Sequence, residues 1–183
     1  GDIPTYGDFD LMIKEIRPDL LCIATRQTMH AEQVEAAVAS GVRGILCDKP
    51  LATSLAEMDR IVEACDEVPL VLALDRRWYA SYRQLREQLA DGLVGEIASV
   101  VAYGLPNAIN HGCHWYDAVL GLLGDPEPQW VIGLLTDIAA EPPDSRVRLD
   151  PSARVQIGMD NGTVAFVLSD GPKAIGFDIA GSE

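Results

Sequence analysis

Basic residues are scarce in this chain. Its 183 residues include 14 Lys and Arg against 28 Asp and Glu, a formal net charge of −14. Such a surface repels phosphate backbones and anionic lipid, which argues against nucleic acid or a membrane surface as a partner. Long apolar runs are missing too: no stretch approaches the ~18 consecutive apolar residues of a membrane span. The opening Gly1-Asp2-Ile3-Pro4 has no initiator Met, no basic n-region and no apolar h-region, so no secretory leader is expected. The four cysteines, Cys22, Cys47, Cys65 and Cys113, form no Cys-x-x-Cys pair. They read as reduced thiols of a cytoplasmic protein, not as a disulfide framework. There is no G-x-S-x-G nucleophile elbow, which counts against a Ser-His-Asp hydrolase. There is no G-x-G-x-x-G either, so these residues lack the glycine-rich turn that cradles a pyrophosphate. Internal repeats and low-complexity segments are likewise missing.

What is present is an alternation of periods. Phe9, Met12, Ile13 and Ile16 share a helical face, and Arg17-Pro18-Asp19 breaks it. Leu20 to Ala24 is a continuous apolar run, hence a buried strand. Ala31, Val34, Ala37 and Val38 predict a helix over 28–40, with Thr28 as its N-cap and Gly41 as its stop. Val42 to Cys47 predicts a second strand, apolar on both faces. Ser54-Leu55-Ala56-Glu57 fits a capping box ahead of a helical stripe through Cys65, and Leu70 to Leu74 predicts a third strand. Strand–helix–strand–helix–strand is the order of a parallel α/β sheet.

The pattern changes after Asp75-Arg76-Arg77-Trp78. A helix on Tyr82, Leu85 and Leu89, a strand over 96–103, a helix over 114–123 and a strand over 130–135 follow. A loop is expected at Glu141-Pro142-Pro143-Asp144. Two alternating strands, 153–159 and 163–168, flank the hairpin signal Asp160-Asn161-Gly162, and 174–179 offers one more. The expectation is an α/β fold: a partial Rossmann-type parallel sheet over 1–75, then an α+β domain with a mainly antiparallel sheet over 76–183.

Chemistry concentrates in two places. The first is Gly44-Ile45-Leu46-Cys47-Asp48-Lys49-Pro50. Proline has no N–H for a ladder and ends the strand. This puts Lys49 at the carboxyl end of a central strand, the edge where open α/β sheets bind ligands. A lysine there can exchange a proton with a substrate hydroxyl, or it can be a solvated loop residue. The second is Asn110-His111-Gly112-Cys113-His114-Trp115-Tyr116-Asp117. If a helix begins by residue 110, Asn110 and His114 share a face, and Asp117 can hold the His114 ring in one tautomer. His111, Cys113, His114 and Asp117 are all ligand-capable, but their spacing matches no structural zinc pattern, so no metal is expected.

Residues 23–54, from Ile23-Ala24-Thr25-Arg26 through His30 to Asp48-Lys49-Pro50, resemble the Gfo/Idh/MocA (glucose–fructose oxidoreductase / inositol dehydrogenase) family of nicotinamide-dependent sugar and cyclitol dehydrogenases. Asp48-Lys49-Pro50 looks like the family's Glu-Lys-Pro tripeptide with Glu shortened to Asp. Gly112, His114 and Asp117 look like its D-x-G-x-H-x-x-D element, with Asn110 in place of the first acid; asparagine can bind a hydroxyl but cannot take its proton. The resemblance implies NAD or NADP as cofactor, and Lys49 and His114 as the proton-handling pair. It implies substrate contacts at Arg76, Asn110 and Asp117. Cofactor contacts are implied at Thr25, Arg26, His30, Asp48, Lys49 and Pro50. His30 has packing at a helix start as its structural alternative. The implied partners are a small sugar or polyol and further copies of the chain. Rival functions are a non-catalytic sensor of dinucleotide or sugar, favoured by Asn110, and a redox-assisted glycoside hydrolase. The resemblance also implies that the chain is a piece truncated at both ends.

Overall fold

The computed structural model describes residues 3–136, 150–170 and 174–183; the loop expected at 141–144 lies outside them. The chain divides into two compact units, Gly1–Ala73 and Leu74–Glu183.

The first unit runs α1 (Phe9–Ile16), β1 (Leu20–Ile23), α2 (His30–Ala39), β2 (Gly44–Cys47), α3 (Leu55–Ala64) and β3 (Leu70–Leu72). Asp8 caps α1 by accepting the Leu11 N–H at 2.7 Å, and Arg17 closes it in the left-handed region. The three strands are parallel in the order β1-β2-β3, with Ile23 beside Cys47 and Cys47 beside Leu72. Leu21, Ile23, Ile45 and Cys47 bury against Ala31, Val34 and Ala37 of α2 and Ile61 of α3.

Three expectations change here. The 42–47 strand was expected to be apolar on both faces and buried, but the core residues of the sheet lie on one face, against the helices. On the other, Leu20, Leu46 and Val71 stay exposed. Thr28 does not cap α2: residues 27–29 form a 3-10 turn and Met29 holds the cap position without a side-chain bond. Ser54 does cap α3, accepting the Glu57 N–H at 3.2 Å. The Glu57 carboxylate reaches one residue further back than a capping box requires, to the Thr53 N–H (2.9 Å) and hydroxyl (2.6 Å).

The second unit holds α4 (Ala80–Ala90), β4 (Ile97–Tyr103), α5 (Gly112–Leu123), β5 (Pro128–Thr136), β6 (Ser152–Met159), β7 (Val164–Leu168) and β8 (Gly176–Gly181). The sheet order is β5-β6-β7-β4-β8. The Asp160-Asn161-Gly162 turn makes the expected β6–β7 hairpin, with Gly162 at φ 85°. One pair departs from the antiparallel expectation: β4 and β7 are parallel, because α5 carries the chain across before the β5–β6–β7 meander returns. The helix-facing side of this sheet packs Val100, Ala102, Ala165 and Val167 against Trp115, Ala118 and Val119 of α5. Trp115 is fully buried and meets Phe177 edge-on at 4.8 Å. No helix of the described residues is long and apolar enough to cross a membrane.

Candidate active site

In the first unit the functional residues gather where β1 and β2 end. Past Cys47 the ladder continues for one more bond, from the Asp48 N–H to the Ile23 carbonyl at 2.8 Å. Lys49 follows half-buried, then a buried Pro50 across a cis peptide bond. Thr25 and Arg26 are exposed past the end of β1, the Thr25 hydroxyl donating to the Oε1 of the buried Gln33. The structure thus brings Thr25, Arg26, Asp48, Lys49 and Pro50 to one edge of a parallel sheet.

His30 does not join them at the surface. It is fully buried. Its Nδ1 lies 3.1 Å from the Pro50 carbonyl and 3.2 Å from that of Leu51, and its Nε2 lies 3.2 Å from the Thr25 carbonyl. The expected cofactor contact is replaced by a clamp: the ring is spent on backbone and ties the turn after β2 to the turn after β1. The neighbouring Cys47 thiol is pushed up to about 11, first by burial and then by the charge of Asp48.

The second unit assembles its groups around the start of α5. Helical geometry begins at Gly112, with His111 at the cap position, so Asn110 sits in the preceding turn and not on a shared helical face with His114. That turn is fastened by Asp150. Its two carboxylate oxygens accept the N–H of Ile109 (2.9 Å) and of Asn110 (2.6 Å), while the Ala108 N–H donates to the Pro151 carbonyl at 2.7 Å. The His111 ring faces the Asn107 side-chain oxygen. Burial, with the charge of Asp150 next, pushes the Tyr116 phenol up.

Asp117, expected to orient His114, carries a different bond. Its Oδ1 pairs with Arg77 Nε at 2.8 Å, and its main-chain carbonyl accepts from Arg77 Nη2 at 2.9 Å. The third nitrogen of Arg77 reaches Asp125 at 2.9 Å. Arg76 has its guanidinium 5.2 Å over the Trp115 ring, a cation–π contact. The carboxylate facing His114 Nδ1 is that of Asp75, at 4.0 Å. The Tyr79 hydroxyl donates to Asp75 at 2.5 Å and holds its carboxyl below the usual range, with the charges of His114 and Arg76 acting the same way. Sequence reasoning missed Asp75, Arg77, Tyr79 and Asp150. A run of one acid and two guanidiniums directly after an apolar strand was the available signal for the first two. Among the described residues no group of three or more His, Cys, Asp or Glu is arranged for a metal ion.

A parallel α/β piece presenting a lysine at its central strand end, followed by a mixed sheet carrying a histidine at a helix start, is the architecture of a Rossmann-fold oxidoreductase. Residues 2–75 match the family described as "Oxidoreductase family, NAD-binding Rossmann fold". D-glucoside 3-dehydrogenase of Escherichia coli is 25% identical over 147 residues, covering 69% of this chain and 42% of that protein. D-apiose dehydrogenase of Paraburkholderia graminis is 35% identical over 92 residues, 49% of this chain and 24% of its own. In three dimensions an oxidoreductase of Thermotoga maritima superposes with a TM-score of 0.81 at 16% identity, covering 100% of this chain and 62% of that one. Residues 2–75 thus match an NAD-binding Rossmann-fold oxidoreductase family, and the chain as a whole is similar to sugar dehydrogenases in sequence and to oxidoreductases in fold. It spans less than half the length of the curated relatives named here.

Proposed function

We propose that the protein carrying this chain moves a hydride between a nicotinamide cofactor, NAD or NADP, and a hydroxyl-bearing carbon of a sugar or cyclitol. The observation that carries this reading is the position of Lys49, half-buried immediately past the carboxyl end of the central parallel strand. The polar edge formed by Thr25, Arg26 and Lys49 suits a polar, charged cofactor, and His30 holds its two turns together from beneath. The nicotinamide supplies the two-electron redox step. Lys49 donates a hydrogen bond to the reacting hydroxyl and lowers its pKa. His114 takes the hydroxyl proton in the oxidative direction and returns it in the reductive one, a contribution of roughly 10²–10⁴-fold. Asn110 and Asp117 flank His114 in sequence, Arg76 lies over the ring of the adjacent Trp115, and the three are the proposed substrate side of the site.

Asn110 favours a second reading, a sensor that binds sugar or dinucleotide without turnover. The experiment is a panel assay of the whole protein with NAD and with NADP against myo-inositol, D-xylose, D-apiose and a methyl glucoside. Reduced nicotinamide accumulating with one of them is the expected result. Binding without turnover supports the sensor, and glycoside cleavage without net reduced nicotinamide supports a redox-assisted hydrolase.

The protein is also proposed to self-associate through its mixed sheet. Trp130, Val131, Ile132, Leu134 and Leu135 of β5 are 44–64% exposed, an apolar surface of the kind that marks an interface. Light scattering at micromolar concentration should give a dimer or larger mass.

A further inference from the structure

The segment from Asp75 to Tyr79 is bound to α5 with more care than a connection needs. Arg77 spends its guanidinium on three acceptors of one stretch of chain: the Asp117 carboxylate, the Asp117 carbonyl and the Asp125 carboxylate. Arg76 lies over the Trp115 ring. These contacts fix the register of the segment along the helix. Asp75 lies two residues before Arg77, and His114 lies three residues, just under one turn, before Asp117. The register therefore brings Asp75 to His114, with its Oδ1 4.0 Å from Nδ1. Tyr79 holds the other oxygen, Oδ2, by a hydroxyl bond of 2.5 Å. The carboxylate is thus held from behind and aimed at the ring.

We infer that Asp75 is the positioning residue of His114, the carboxylate that sets which edge of the imidazole faces the reaction and supports the charge the ring acquires. This rests on the preceding reading, in which His114 handles the substrate proton. At 4.0 Å the pair is an electrostatic contact, too long for a hydrogen bond. An anion there favours the imidazolium, which is the form His114 reaches on accepting the hydroxyl proton. With Nδ1 toward Asp75, exchange with substrate falls to Nε2. Other charges bear on the ring. Arg76 and Arg77 oppose the imidazolium, Arg77 being largely neutralised by Asp117 and Asp125. His111 and Asp117 lie on the same stretch of chain. The strands β4 and β7 under α5 contribute no charged side chain, while α4, which also packs against α5, carries Arg83, Arg86 and Glu87, with Arg86 3.8 Å from Asp125.

The test is the titration of His114 followed by NMR of its ring carbon in the whole protein. The His114 signal is assigned as the one missing from a His114→Gln variant. Asp75→Asn, which keeps size and a Tyr79 partner, should lower the His114 midpoint by about half a unit or more. Tyr79→Phe, which frees the carboxylate to swing away, should lower it by less. His30 and His111 should hold their midpoints. In turnover, the acid limb of the kcat profile should move down by the same amount while the KM for the nicotinamide cofactor stays put. An unmoved His114 midpoint in well-folded Asp75→Asn overturns the inference. So does an equal shift of His30, His111 and His114, which would report a general change of structure. A moved His114 midpoint in a native protein that turns over no polyol supports the pairing and overturns the proposed function instead.

Discussion

At the scale of single residues, side chains of one type take opposite roles according to where the backbone leaves them. His30 and His114 both stand at the start of a helix. One is sealed among three carbonyls, while the other keeps part of its ring accessible beside a carboxylate. Cysteine shows the same contrast. Cys47 is fully buried and its thiol stands at about 11, whereas Cys22 on the neighbouring strand is exposed. A short pulse of iodoacetamide at neutral pH should therefore label Cys22 and spare Cys47, as read by mass spectrometry of the digested protein. The raised value also ties stability to alkali. Between the ordinary thiol value of 9.0 and about 11, the unfolded chain loses the Cys47 proton while the folded chain keeps it. The stabilisation is thus full below pH ~9 and fades as pH rises toward ~11, by roughly 2–3 kcal/mol in total. Denaturant midpoints measured across that range should fall more steeply in the native protein than in Cys47→Ala.

At the scale of elements, the turns carry the site and the regular structure carries the turns. The clamp of His30 joins the segments after β1 and β2, so removing it should loosen the edge on which Lys49 sits. His30→Ala gives up three polar contacts and leaves a void in a sealed place, a loss of roughly 2–4 kcal/mol in a urea titration. His30→Gln, which can still donate to one carbonyl, should lose less. A His30→Ala protein as stable as the native one would show that the clamp holds nothing. The elements themselves were largely legible in the sequence. The apolar runs 20–24 and 42–47, the helical stripes between them and the Asp160-Asn161-Gly162 turn all appear as strands, helices and hairpin, because period and turn chemistry are local. What was not legible depends on partners distant in sequence. Nothing near Asn110 shows that Asp150, forty residues on, holds its N–H. Nothing near Asp117 shows that Arg77 claims it, leaving Asp75 to face His114. The parallel β4–β7 pairing has the same origin, since it follows from how α5 carries the chain and not from any pattern within either strand.

At the scale of the whole molecule, the proposed reaction rests on two proton-handling side chains, Lys49 and His114. Lys49 belongs to the parallel unit and His114 to the mixed-sheet unit, and each alone has an ordinary structural explanation. Their joint use in one reaction is the central claim, and a double-mutant cycle in the whole protein tests it most directly. Lys49→Met and His114→Ala should each lower kcat by roughly 10²-fold or more with cofactor affinity little changed, and the double variant should lose less than the two effects combined, because groups that act on one proton are not additive. A Lys49→Met protein with native kcat, or two losses that multiply in full, would contradict it.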